Sequence, residues 1–134
     1  ADREIMQVFQ PGQHGSTFGG NPMAAAVGIA SLDVLIDEGL AERAERLGES
    51  FMADLRELPS AKVKEVRGRG LLVALELHGS SSATGRDLGL ALMRRGILAK
   101  DTHGQTVRFA PPLVLAEDSL RWAAEQIKEA VEAL

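Results

Sequence analysis

Cysteine is absent from this 134-residue sequence, which excludes disulfides, thiolate metal sites and cysteine nucleophiles. An excess of basic residues is absent too: the formal net charge is −4, so we expect no nucleic-acid partner. No apolar run is long enough to cross a membrane, and we expect no membrane partner. Because a sequence without cysteine suits a reducing compartment, we expect a cytoplasmic location.

Patterns typical of metal binding or covalent catalysis are also missing. The three histidines have no metal-ligand spacing, and no acidic cluster joins them. A Schiff-base lysine needs a desolvated setting, and none of the lysines lies in one. Lys100, for example, is predicted to end a strand just before a turn. We therefore predict no metal site and no catalytic residue in this chain.

A glycine-rich loop stands out among the features that are present. Residues 14–22 combine three glycines with Ser16 and Thr17, directly before the N-cap and first-turn pair Asn21-Pro22. Glycines let backbone amides approach a ligand, and both hydroxyls can donate hydrogen bonds. A loop that leads into a helix N-terminus suits an anion, most often a phosphate, although a plain turn is the alternative. His14 is a candidate contact to the same ligand.

The hydrophobic spacing predicts two helices after this loop. The first covers residues 22–38 and is rich in small residues, so we expect one of its faces to be buried. The second covers residues 40–58 and carries a clear amphipathic stripe. Its apolar positions are Leu40, Ala44, Leu47, Phe51, Leu55 and Leu58. A last helix begins at residue 117, with an apolar stripe at Leu120, Ala124, Ile127, Val131 and Leu134.

From residue 62 onward the pattern is β-β-α-β-β-α, which predicts an α+β fold with a mostly antiparallel sheet. The predicted strands are 63–66, 71–77, 97–100 and 106–109, with a helix at 86–95. Residues 67–70 and 101–104 are predicted to be turns. Since residues on both faces of the second strand are largely apolar, we expect that strand to be covered on both sides.

Arg108 is the candidate ligand-binding residue of the sheet. It lies late in an apolar strand, shortly before Pro111 and Pro112. A guanidinium has the fork geometry that binds a carboxylate through two hydrogen bonds. The residues alone favour the alternative, a strand-edge arginine paired with a nearby glutamate. Arg67 and Arg69 flank a glycine, and we expect both to be solvated or ion-paired.

Three motifs, in this order, resemble the class III pyridoxal-phosphate aminotransferases, and within them the ornithine aminotransferase branch. The motifs are Gly12-Gln13-His14-Gly15-Ser16-Thr17-Phe18-Gly19-Gly20-Asn21-Pro22, then Val66-Arg67-Gly68-Arg69-Gly70-Leu71-Leu72, and finally Thr102-His103-Gly104 with Val107-Arg108-Phe109-Ala110-Pro111-Pro112-Leu113. The resemblance spans nearly the whole chain but only the C-terminal part of such an enzyme. We therefore expect the chain to be cut from a longer protein.

The resemblance implies a fold and a set of site residues. Residues 23–134 would be the C-terminal small domain of a fold-type I pyridoxal-phosphate transferase, and residues 1–22 a remnant of its large cofactor domain. Thr17 matches a threonine that binds the cofactor phosphate of the neighbouring subunit, and Ser16 matches its neighbour in that loop. A homodimer or larger homo-oligomer is thereby implied. Arg108 matches the arginine that grips the α-carboxylate of the 2-oxo acid or glutamate substrate.

The enzyme implied by this resemblance transfers the δ-amino group of ornithine to 2-oxoglutarate, giving glutamate semialdehyde and glutamate. Its cofactor, pyridoxal phosphate, supplies the electron sink. The Schiff-base lysine would lie upstream of Ala1, so we expect the isolated chain to be inactive and to lack the cofactor. Two alternatives stay open: a fragment of an acetylornithine or 4-aminobutyrate aminotransferase, and a non-catalytic binding or dimerisation module.

Overall fold

A computed structural model of the protein describes residues 1–59, 61–79 and 83–134. Contacts within the chain group these residues into two units, Ala1–Glu38 and Gly39–Leu134. The first unit holds α1 (Arg3–Met6) and α2 (Pro22–Asp37). The elements of the second unit are α3 (Leu40–Arg56), β1 (Val63–Arg69), β2 (Leu72–Leu77), α4 (Gly85–Arg94), β3 (Lys100–Thr102), β4 (Thr106–Phe109) and α5 (Glu117–Glu132).

In the first unit, α2 begins where the sequence predicts. Asn21 is its N-cap, with a side chain that accepts hydrogen bonds from the backbone of Met23 and Ala24, and Pro22 occupies the first turn. Every residue of this unit is exposed, including the alanines of α2. The buried face expected for α2 is therefore absent from this chain, because the helix has no packing partner within its own unit.

The second unit is built on a four-stranded antiparallel sheet in the order β1-β2-β4-β3. Alternate residues of β2 point to opposite faces, and those of one face are almost completely buried. These buried residues are Val73, Leu75 and Leu77. Val107 and Phe109 of β4 pair with the first two of them and share the same inner face. This arrangement confirms the predicted α+β fold with an antiparallel sheet.

Three helices cover the inner face of the sheet. α3 packs on β1 and β2, α4 packs on β3 and β4, and α5 packs against both of these helices. The predicted stripe of α3 is buried in full, and Phe51 from this stripe meets Phe109 edge to face at 5.9 Å between ring centroids. α4 begins with a capping box between Thr84 and Asp87. The core therefore lies entirely on one side of the sheet.

Three predictions about the strands are wrong. β1 continues through Arg67 and Gly68 to Arg69, so the predicted turn over residues 67–70 is shorter. β3 begins at Lys100 instead of ending there, and only His103 and Gly104 lie outside the hairpin strands among residues 101–104. The outer face of β2 is open: no helix of the second unit packs on it, and Leu72 is 58% exposed.

Candidate functional site

The glycine-rich loop is held by its own polar side chains. The Ser16 hydroxyl accepts hydrogen bonds from the backbone amides of Phe18 at 3.2 Å and Gly19 at 3.1 Å. A Cβ on Gly19 would lie 3.3 Å from the Ser16 Cβ, so a residue without a side chain suits this turn. Ser16 therefore shapes the loop, and its O–H hydrogen stays available for donation.

Thr17 offers a second free hydroxyl donor in this loop. The residue is exposed, and within residues 1–59, 61–79 and 83–134 its hydroxyl has no hydrogen-bond partner. The first amides of α2 are less available, since Asn21 Oδ1 accepts from the Met23 amide at 2.9 Å and the Ala24 amide at 3.3 Å. The loop thus offers an anion the Thr17 hydroxyl rather than a bare helix N-terminus, and it fits a phosphate contact of that kind.

His14 has a different local role from the other loop residues. Its ring lies against Phe9, with ring centroids 5.7 Å apart and the planes tilted by 45°. Both residues are exposed, so this ring contact lies on the surface of the first unit.

The outer face of the sheet carries a row of basic residues. Strand register places Arg67 of β1 opposite Ala74 of β2, Ala74 opposite Arg108 of β4, and Arg108 opposite Lys100 of β3. Directly paired residues share a face, so these side chains stand on the face that no helix of the second unit covers. Ala74 leaves a shallow depression between the two arginines because its side chain is a single methyl group.

The two ends of this row differ in how their charges are balanced. Arg67 donates hydrogen bonds to Glu65 at 2.7 Å and Glu76 at 2.8 Å, and Lys64 contacts the same Glu76 at 2.5 Å. Hydrogen bonding to Glu76 raises the pKa of Arg67, with Glu65 adding to the effect. Hydrogen bonds from Lys64 and then Arg67 lower the pKa of Glu76. Arg67 is thus ion-paired, as the sequence predicts.

Arg108 and Lys100, at the other end, have no such partners. Both are exposed, and within the described residues neither side chain makes an ion pair or a hydrogen bond. The glutamate partner that the alternative interpretation gives Arg108 is missing there. The sequence does not single out Lys100 as a site residue, because its pattern predicts that Lys100 ends a strand. The register of β3 with β4 brings it opposite Arg108.

Metal and membrane features are not seen in the described part of the chain. Residues 1–59, 61–79 and 83–134 contain no group of three or more histidine, aspartate or glutamate side chains arranged to hold a metal ion. The helices in the same ranges are too short or too polar to span a membrane.

A family profile and curated relatives both match this chain. The sequence profile described as Aminotransferase class-III matches residues 1–131. An ornithine aminotransferase from Geobacillus sp. is 51% identical over 129 residues, which cover 96% of this chain and 31% of the relative. This chain therefore spans about a third of the length of the curated relatives that it matches.

Solved structures share the fold. The acetylornithine aminotransferase of Elizabethkingia anophelis superposes with a TM-score of 0.82 at 46% identity, covering 100% of this chain and 34% of that one. An ornithine aminotransferase of Toxoplasma gondii, described with partial occupancy of PLP at its active site, gives 0.80 at 46% identity, covering 97% and 31%. The predicted fold class is confirmed by these neighbours. With a family match over almost its whole length, this chain belongs to the class-III aminotransferase family.

Proposed function

We propose that this chain is the C-terminal part of an ornithine aminotransferase, which transfers the δ-amino group of ornithine to 2-oxoglutarate and yields glutamate semialdehyde and glutamate. The observation that carries the proposal is Arg108 on the open face of the sheet, which is exposed and has no ion-pair partner among the described residues. The 51% identity to the Geobacillus ornithine aminotransferase supports the choice of substrate.

Arg108 is proposed to bind the α-carboxylate of the 2-oxo-acid or glutamate substrate. Its guanidinium presents parallel N–H donors that match the two oxygens of a carboxylate. Since no carboxylate of the described residues neutralises it, a substrate carboxylate meets an uncompensated positive charge. Binding through this group holds the substrate beside its reacting α-carbon and so orients the carbonyl or amino group that reacts.

Thr17 and Ser16 are proposed to contact the phosphate of pyridoxal phosphate bound in the neighbouring subunit. The Thr17 hydroxyl would donate to a phosphate oxygen, and Ser16 would hold the loop in shape through its bonds to the Phe18 and Gly19 amides. When bound, this cofactor supplies the electron sink for amino-group transfer. A homodimer or larger homo-oligomer follows, because the loop of one subunit would complete the site of another.

The domain assignment and the cellular location are part of the same proposal. Residues 1–22 would belong to the large cofactor domain and residues 23–134 to the small domain of the longer enzyme. No catalytic residue is assigned to this chain, because the cofactor-binding lysine would lie upstream of it. The absence of cysteine supports a cytoplasmic enzyme.

A chimeric enzyme tests the role of Arg108. In it, this chain replaces the matching third of the Geobacillus enzyme, and Arg108→Met is compared with Arg94→Met, an exposed arginine on α4. A hydrogen bond to a charged group contributes about 1.5–3 kcal/mol, so Arg108→Met should raise KM for 2-oxoglutarate by about tenfold to a hundredfold. Arg94→Met should leave KM unchanged. Equal KM values for the two variants would show that Arg108 does not bind the substrate.

A fragment of an acetylornithine aminotransferase is the second candidate, and the 46% identity to the Elizabethkingia enzyme favours it. The same chimera separates the two candidates through its kcat/KM for ornithine and for acetylornithine. Comparable or better use of acetylornithine would support the second candidate, and 4-aminobutyrate can be tested alongside. A non-catalytic module predicts that the chimera binds the cofactor and turns over none of these amino donors.

A further inference from the structure

We propose that Lys100 and Arg108 together form a two-cation carboxylate site, in which Lys100 is a second substrate-binding residue. The inference rests on the proposed role of Arg108 and extends it to a residue that the resemblance does not assign. Two cations instead of one would raise the affinity of the site for carboxylate substrates.

Strand register provides the geometry. Lys100 of β3 is the direct antiparallel partner of Arg108 in β4, so both side chains leave the same face of the sheet. The Cβ atoms of such pairs are about 5 Å apart, well within the reach of two long side chains toward one small ligand. Arg108 can grip both oxygens of a carboxylate with its planar fork, and the Lys100 ammonium can then approach one oxygen as a compact charge.

The charge pattern of the face leaves two cations at this end without a carboxylate partner among the described residues. Like charges placed directly opposite each other in a sheet are destabilising. At the other end of the same row the chain balances Arg67 with Glu65 and Glu76. Lys100 and Arg108 receive no carboxylate from the described residues, so a bound carboxylate would relieve their repulsion.

The other charged groups near this pair are already engaged or directed elsewhere. Asp101, the neighbour of Lys100, belongs to the opposite face of β3 and lies 3.5 Å from Arg86 of α4. Glu76 accepts from Lys64 and Arg67. Across the strands, Ala74 next to Arg108 leaves space beside the guanidinium. The pair is therefore open to a small ligand from solvent.

Titration of the isotope-labelled chain, followed by backbone NMR shifts, tests the proposal without any catalytic activity. The probes are acetate, L-glutamate and inorganic phosphate, and the variants are Lys100→Met, Arg108→Met and the distant α5 control Lys128→Met. We expect saturating shifts at residues 100 and 108 with acetate and glutamate. An exposed ion pair contributes up to about 1 kcal/mol, so Lys100→Met should weaken carboxylate binding about threefold to fivefold, while Lys128→Met changes it little.

Three results would overturn the proposal. The first is the absence of saturating shifts at both residues, and the second is carboxylate affinity that is unchanged by Lys100→Met. The third is a Lys100-dependent response to phosphate alone. If Lys100→Met alters the association state in light scattering but not carboxylate affinity, the pair binds a carboxylate of another protein chain, which also contradicts a substrate site.

The kinetics of the chimeric enzyme give a second, independent test of the role of Lys100. Lys100→Met should raise KM for 2-oxoglutarate about threefold or more with kcat unchanged, and Lys100→Arg should restore most of the loss. An active chimera whose KM does not respond to Lys100→Met would refute this inference and leave the proposed function standing. A chimera without activity would count against the proposed function, while the NMR titration still decides the role of Lys100.

Discussion

Gly48 shows how a single residue limits the packing of α3 against the sheet. An ideal Cβ at this position would lie 2.0 Å from the carbonyl oxygen and 2.3 Å from the carbonyl carbon of Gly70. Both are backbone atoms, so the clash can be relieved only by moving α3 or the β1–β2 turn. We expect Gly48→Ala to lower the free energy of unfolding by about 3 kcal/mol, as measured by urea denaturation.

Gly89 provides the matched control for this change. It lies in α4, and a Cβ there would meet nothing within 4 Å. Gly89→Ala should therefore raise the free energy of unfolding by about 0.5–1 kcal/mol, because alanine is the better helix former. Similar effects of the two substitutions would show that the approach of α3 to Gly70 does not restrict the fold.

The ion pairs of Glu76 on the outer face of the sheet make the stability of the fold depend on pH. Hydrogen bonds from Lys64 and Arg67 hold its pKa below the usual value of 4.5. A carboxyl group with a lowered pKa in the folded state stabilises the fold above its unfolded pKa, and this contribution is lost as the pH falls through the folded value. Thermal melts at pH 7 and about pH 3 should show a larger loss of Tm for the natural chain than for Glu76→Gln. Equal losses would contradict this linkage.

Arg67 and Lys100 differ in how far the sequence predicts their surroundings. The position of Arg67 beside a glycine predicts an ion-paired or solvated arginine, and its contacts with Glu65 and Glu76 confirm it. The prediction for Lys100 is wrong because the apolar residues before it suggest a strand over 97–100. Residues 97–99 lie outside the strands that the structure describes, and Leu98 is 88% exposed. Pairing with β4 fixes β3, and such long-range pairing cannot be read from local hydrophobicity.

At the scale of the elements, the surface of α2 is apolar although the helix is exposed to solvent. Its large apolar side chains are exposed, and they are Met23, Val27, Ile29, Leu32, Val34, Leu35 and Ile36. An exposed apolar helix of this size favours association. We expect the isolated chain to self-associate, and Ile29→Glu together with Leu32→Glu to shift the mass in light scattering toward the monomer.

Glu49→Gln is a suitable control, since it changes an exposed residue on the polar side of α3. It should leave the association state as it is. A well-behaved monomer of the unmodified chain would contradict the prediction about α2.

Amphipathic elements are predictable where one face is buried within the chain. The stripes of α3 and α5 follow from their spacing, and the inner face of β2 follows from strict alternation. The predicted β1 is too short because Gly68 suggests a turn. A Cβ on Gly68 would lie 2.5 Å from the Leu72 carbonyl oxygen, so this glycine serves the close approach of β2 inside the sheet. Sequence alone does not separate these two uses of glycine.

At the scale of the whole molecule, the fold and the family are more predictable from the sequence than the site is. The order of helices and strands indicates the α+β class, and three sequence motifs indicate the family. The open outer face is not predictable in this way, because apolar residues on both faces of β2 suggest cover on both sides. That open face is what exposes Arg108 and Lys100 together.

The most direct test is ornithine-dependent turnover with 2-oxoglutarate and added pyridoxal phosphate, measured side by side for the isolated chain and the chimeric enzyme. We expect the chimera to form glutamate semialdehyde, because this chain would supply the carboxylate-binding part of the site. We expect the isolated 134 residues to form none, because the proposed assignment places the cofactor-binding lysine upstream of this chain. Turnover by the isolated chain, or a cofactor-loaded chimera that leaves ornithine unchanged, would contradict the proposed function.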